Sequence, residues 1–168
     1  MNRYTLAVLV RNQFGVLNRL TSMFRRRQFN ISSISASETE SAAYSRVTFS
    51  FDGEEDGKQQ LVNQLYKLPD VCSIKELTLE NSLNCELMLI KLKNDPAARE
   101  EIHAAAEAFK AETIDYSRDA IVLRLIGNGT KMDDFITLMR DYTLLEICRT
   151  GTASLEKGSS ILRQNLNL

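Results

Sequence analysis

From Tyr4 to Val10 the chain reads YTLAVLV, apolar at every position but Thr5. A strand with apolar side chains on both its odd and its even positions must be covered on both faces, so this one belongs inside a sheet. The residues that follow supply its cover. Asn12, Gln13, Phe14 and Gly15 break the pattern, and Val16, Leu17, Leu20, Met23 and Phe24 then recur at the spacing of an amphipathic helix. Arg25, Arg26 and Arg27 close that helix, where cations oppose the negative end of the macrodipole. Ile31, Ile34 and Ala36 predict a second, more polar strand. Val47, Phe49 and Phe51 alternate with Arg46, Thr48 and Ser50, predicting a half-buried strand that ends at Asp52 and Gly53. Leu61, Val62, Leu65 and Leu68 mark a second helix, stopped by Pro69, and Val71, Ile74, Leu77 and Leu79 a fourth strand. The order is βαββαβ, the ferredoxin-like arrangement of two helices on one face of an antiparallel sheet.

The same order recurs in the second half. Leu87 to Leu92 reads as a strand, and Asp95 before Pro96 as a helix start with Ile102, Ala105, Ala106 and Phe109 on its buried face. Thr113 to Tyr116 and Ala120 to Ile126 are two further strands. Gly127, Asn128 and Gly129 form a turn before a helix with Met132, Phe135, Ile136 and Met139 inward, and Leu144 to Cys148 is the last strand. The expected fold class is therefore α+β, two tandem ferredoxin-like βαββαβ domains. The first covers 1–80, a polar linker 81–85, the second 86–152, and a frayed tail 153–168, where the apolar pattern weakens. A domain of about 80 residues buries little more than ~60% of its unfolded surface, so docking or oligomerisation is expected.

Chemistry is sparse. With 21 Lys and Arg against 22 Asp and Glu, no global field draws the chain to nucleic acid or to an anionic membrane. No apolar run is long enough to span a bilayer and no secretory leader opens the chain, so a cytoplasmic location is expected. Acid and base catalysis needs converging titratable groups, and the single histidine, His103, lies among alanines on a helix. Cys72, Cys85 and Cys148 lack the spacing of metal or disulfide motifs, and Glu54, Glu55, Asp56, Asp133 and Asp134 read as acidic residues favourable at helix starts. Neither catalytic residues nor a metal site is expected. The turn Asn12 to Gly15 stands apart. It joins the apolar strand to a helix whose free amides and positive dipole end suit an anion such as a carboxylate, although glycine there also serves a tight turn.

The segment NQFGVLNRLTSMFRRRQFNISSIS, Asn12 to Ser35, resembles the start of the acetohydroxyacid synthase (acetolactate synthase) small regulatory subunits, an ACT-domain family. An asparagine, two residues, Gly-Val-Leu and an arginine are followed by the Phe-x-x-Arg helix end and the Phe-Asn-Ile strand start. ELMLIKLK, Glu86 to Lys93, and LEICRTG, Leu145 to Gly151, extend the likeness over most of the chain. Phe14 stands where proline or serine is usual, and Gln28 where glycine is frequent.

The resemblance implies an N-terminal ACT domain that dimerises and holds valine or a related branched-chain amino acid at the dimer interface. The ligand-binding residues it implies are Asn12, Gly15, Val16, Leu17, Asn18, Asn30 and Ile31. It further implies a non-catalytic regulatory chain that activates the catalytic large subunit and confers feedback inhibition. Thiamine diphosphate, FAD and Mg then belong to that partner, with no cofactor in this chain. A free-standing amino-acid-binding module that controls a different enzyme or a transcription factor is the other reading.

Overall fold

A computed structural model describes residues 2–163. The chain forms two compact units, one of the residues up to Leu83 together with those from Thr152 onward, the other Asn84–Gly151. Both are mixed α and β, and in each a run of four strands and two helices follows βαββαβ order, with one further short strand, Ala153–Glu156, after the second run.

In the first unit the elements are β1 (Asn2–Arg11), α1 (Val16–Arg26), β2 (Ile31–Glu38), β3 (Tyr44–Gly53), α2 (Glu55–Leu65) and β4 (Val71–Glu76). The sheet order is β2-β3-β1-β4, so β1 lies between two partners as its double-sided apolar pattern requires. Val8 faces Val47 on one side and Ile74 on the other. Leu6, Val8 and Val10 join Phe49, Phe51, Leu20, Phe24, Leu61 and Leu65 in a closed core beneath the helices. The Phe29 ring completes it, and the close approach depends on glycine, since a Cβ at Gly53 would lie 2.5 Å from that ring.

The opposite face of this sheet departs from expectation. Thr48 and Ser50 are buried, so β3 is covered on both sides and is not half-exposed. Ala7 and Leu9 on that face form a second cluster with Leu77 and with Leu162, a residue from the far end of the chain. The expected frayed tail is thus ordered over 153–163; residues 164–168 lie outside the described residues. Its local pattern is weak because one buried leucine carries the apolar contact and polar ties do the rest. β9 (Ala153–Glu156) places Ser154 where its carbonyl accepts from Arg46 and Glu156 where its carboxylate pairs with Lys75. Ser160 Oγ accepts from Lys75 at 2.7 Å, Arg163 Nη1 bonds Glu40 at 3.1 Å, and the Lys157 amide donates to the Asn81 carbonyl at 2.8 Å.

The second unit comprises β5 (Ser82–Lys93, its first residues in the other unit), α3 (Arg99–Ala108), β6 (Glu112–Tyr116), β7 (Ala120–Gly127), α4 (Gly129–Met139) and β8 (Leu144–Arg149). Its strands run β6-β7-β5-β8, the permutation of the first sheet repeated. Met88, Ile90, Leu92, Ile102, Leu123 and Phe135 are among its buried residues. Two expectations shift here. The polar stretch 81–85 does span the boundary between the units, at Leu83 and Asn84, but as strand from Ser82 onward, after a turn in which Asn81 Oδ1 accepts from the Thr78 amide at 2.8 Å. Asp95 and Pro96 form a turn ahead of α3, with the Asp95 carboxylate accepting from Ala97 N, and the helix itself begins at Arg99. At α4, Asn128 is a side-chain cap, accepting from the Lys131 amide at 2.9 Å.

Candidate functional site

The turn between β1 and α1 is built around Gly15, whose φ of 75° lies in the left-handed region that side chains with a Cβ avoid. Gly15 is the N-cap of α1, and no side chain caps the helix. No acidic residue occupies its first turn, so the positive end of the dipole meets no carboxylate there. The Val16 amide is used within the turn, donating to the Gln13 carbonyl at 3.3 Å. Arg19 sits one helical turn on; its Nη1 is 3.3 Å from the point where a Cβ on Gly15 would lie, and it pairs with the buried carboxylate of Asp70 at 2.7 Å. The helix start is open and free of acidic residues in its first turn, a geometry that suits a small carboxylate.

Asn12 has a structural task in this turn. Its Nδ2 donates to Glu38 Oε1 and to the Ala42 carbonyl, each at 3.1 Å, and its backbone amide donates to the Ala43 carbonyl at 2.8 Å. The strand turn is thereby locked to the loop between β2 and β3. Val16 points into the core, whereas Leu17 is 42% exposed, which departs from its place in the expected buried stripe. Asn18 is exposed, and the neighbouring Phe14 is fully so. Asn12, Gly15, Leu17 and Asn18 therefore share one surface region, with Val16 anchoring it.

Asn30 and Ile31 are elsewhere in the unit. Ile31 opens β2 opposite Phe51, and Phe51 lies opposite Tyr4, near the start of β1, whereas Asn12 follows the end of β1. At ~3.3 Å per residue, the length of β1 separates the two groups by roughly 20 to 25 Å. One chain does not bring all seven residues onto a single amino acid. The resemblance gave residue identities without this geometry. It also gave no hint of Glu38, Ala42, Ala43 or Asp70, which hold the turn and its arginine through contacts distant in sequence. The departure at Gln28 has a clear place: its φ is 58°, so it occupies a left-handed position just after α1. His103, the sole histidine, is exposed and stacks on Tyr116 at 6.2 Å. Among the described residues no group of three or more His, Cys, Asp or Glu could hold a metal, and no helix is long and apolar enough to cross a membrane.

The βαββαβ unit with its glycine turn has the architecture of ACT-domain proteins, and residues 6–73 match the family described as the AHAS small subunit-like ACT domain. Residues 85–158 match the family described as the small subunit of acetolactate synthase. The chain is 40% identical to the acetolactate synthase small subunit of Bacillus subtilis, over 92% of this chain and 90% of that one. It is 38% identical to the probable acetolactate synthase small subunit of Archaeoglobus fulgidus, over 94% and 98%. The crystal structure of the acetolactate synthase small subunit from Thermotoga maritima superposes with a TM-score of 0.85 at 31% identity, covering 95% of this chain and all of that one. The chain belongs to the acetolactate synthase small-subunit family.

Proposed function

We propose that this chain is the regulatory partner of an acetolactate synthase catalytic subunit, that it raises that subunit's activity, and that it relays feedback inhibition by valine or a related branched-chain amino acid. It is a homodimer in which two copies complete each effector site. The observation that carries this reading is the separation of the Gly15 turn from Asn30 in one chain. β2 is an edge strand, so a two-fold copy can pair with it antiparallel, and such pairing sets the start of one β2 against the end of the other. The end of β2 is where Glu38 holds Asn12. Asn30 of one copy then approaches the turn of the other. The amides after Gly15 take the effector carboxylate, and exposed Leu17 lies beside its aliphatic side chain.

Thiamine diphosphate, FAD and Mg reside in the catalytic partner, and the assembly works in the cytoplasm. Mixing the purified chain with an acetolactate synthase catalytic subunit, with and without valine, tests the reading: the chain alone makes no acetolactate, stimulates the partner, and lets valine reverse the stimulation. Acetolactate formed by this chain alone would overturn it. So would a strictly monomeric mass by light scattering at micromolar concentration. Amino-acid binding without any effect on the catalytic subunit would point instead to a free-standing sensor of another system.

A further inference from the structure

Outside the turn, the first unit encloses a cavity of about 290 Å³ between the second face of its sheet and the returning C-terminal segment. That volume is at the small end of the ~300–1,000 Å³ range of ligand pockets. Its apolar wall is Leu9 and Leu77 from the sheet, with Leu155 and Ile161 from the C-terminal segment. Leu155 and Ile161 are 63% and 56% exposed, far from the cover their side chains would normally seek.

The polar wall is asymmetric in its pairing. Lys75 is matched by Glu156, and Arg163 by Glu40. Arg46 lines the same cavity, donates to the Ser154 carbonyl, and has no carboxylate within ion-pairing distance among the described residues. Burial presses its guanidinium below the ordinary value, and the field of Glu156 only partly opposes this. Arg163 adds an unmet donor, since its Nε is buried with no hydrogen-bond partner. A buried donor without an acceptor costs more than a made bond gains, so a group that accepts from it is favoured.

We propose that this cavity is a binding site for a small aliphatic carboxylate, its anionic head on Arg46 and Arg163 and its hydrocarbon on the leucine and isoleucine wall. The site is separate from the Gly15 turn, and Glu38, which also holds Asn12, is the residue that touches both. Glu38, which also lines the cavity and has no cation within ion-pairing distance among the described residues, is the natural acceptor for an ammonium group. The carboxylate can therefore be that of an amino acid or of an acid without nitrogen.

The test uses the full chain and two probes, 3-methylbutanoate and valine, followed by nuclear magnetic resonance titration of the amides of β3, β4 and Leu77. Saturable shifts around Arg46 and Leu77 are expected with at least one probe. Loss of a charge-assisted contact in Arg46→Gln lowers that affinity at least about tenfold. Ser37→Phe, placed opposite Arg46 in the β2–β3 register, fills the cavity and has the same effect without removing a charge. Gly15→Asp leaves these shifts unchanged. Binding of 3-methylbutanoate identifies a nitrogen-free acid as sufficient; binding of valine alone, retained in Gly15→Asp and lost in Arg46→Gln, identifies an amino acid. No saturable shift with either probe, shifts abolished by Gly15→Asp, or wild-type affinity in both Arg46→Gln and Ser37→Phe would overturn the site.

Discussion

Gly15 carries two demands at once, a left-handed backbone and an open approach to the first amides of α1. Separating them needs two substitutions. In the proposed effector site Gly15→Asp puts a carboxylate where that of the effector would sit, and loss of one charge-assisted hydrogen bond, roughly 1.5–3 kcal/mol, lowers branched-chain amino acid affinity at least about tenfold. Gly15→Asn tolerates the same backbone and carries no charge, so calorimetry should find it nearer to wild type. Equal losses in the two variants would mean that shape alone matters. Gln28 offers the converse case. A residue with a Cβ at φ 58° is strained, so Gln28→Gly should raise stability by about 0.5–1 kcal/mol in urea denaturation. An unchanged midpoint would show that the unfolded chain's gain in freedom cancels the relief.

At the scale of elements, the C-terminal segment is held to the first sheet chiefly by polar ties. Hydrogen bonding to Lys75 holds the Glu156 carboxyl below the usual carboxylate range, with Ser160 assisting and burial opposing. A carboxylate depressed by folding contributes stability that is fully present above its unfolded value, about 4.3, and is lost as pH falls through the folded value. Protection of the β9 amides from hydrogen exchange should therefore hold from neutral pH down to about 4.3 and fall below it. Glu156→Gln should flatten that dependence, and an unaltered profile would place the tie elsewhere. Elements of this kind were the hardest to read. β1 was legible because both its faces are apolar, and α1, α2 and α4 because their stripes repeat. Leu162 is one apolar residue in a polar stretch, with no period to reveal it, and Ser82 and Asn84 look like a linker although they lie on a strand. The turn was legible as a glycine-dependent strand-to-helix connection from its composition and position; its tethers to Glu38 and Asp70 exist only in three dimensions.

Across the whole molecule, a site completed by two copies makes a prediction that no single-chain site can meet. Gly15→Asp and Asn30→Ala each impair the homodimer, yet a mixed dimer of the two variants holds one doubly damaged site and one intact site. Co-expression with two affinity tags should recover about half the wild-type sites, whereas a site contained in one chain would recover none. The chain path has a different consequence. The first unit is discontinuous, and the whole of Asn84–Gly151 lies between Leu77 and the Leu162 that packs beside it. A ribosome adding about 5–20 residues per second makes Ala7, Leu9 and Leu77 several seconds before their cover emerges. During that interval the nascent first sheet presents an apolar face to the cell. The protein that begins synthesis first is thus the part finished last, and chaperone dependence or premature arrest of translation should strike this unit before the inserted one.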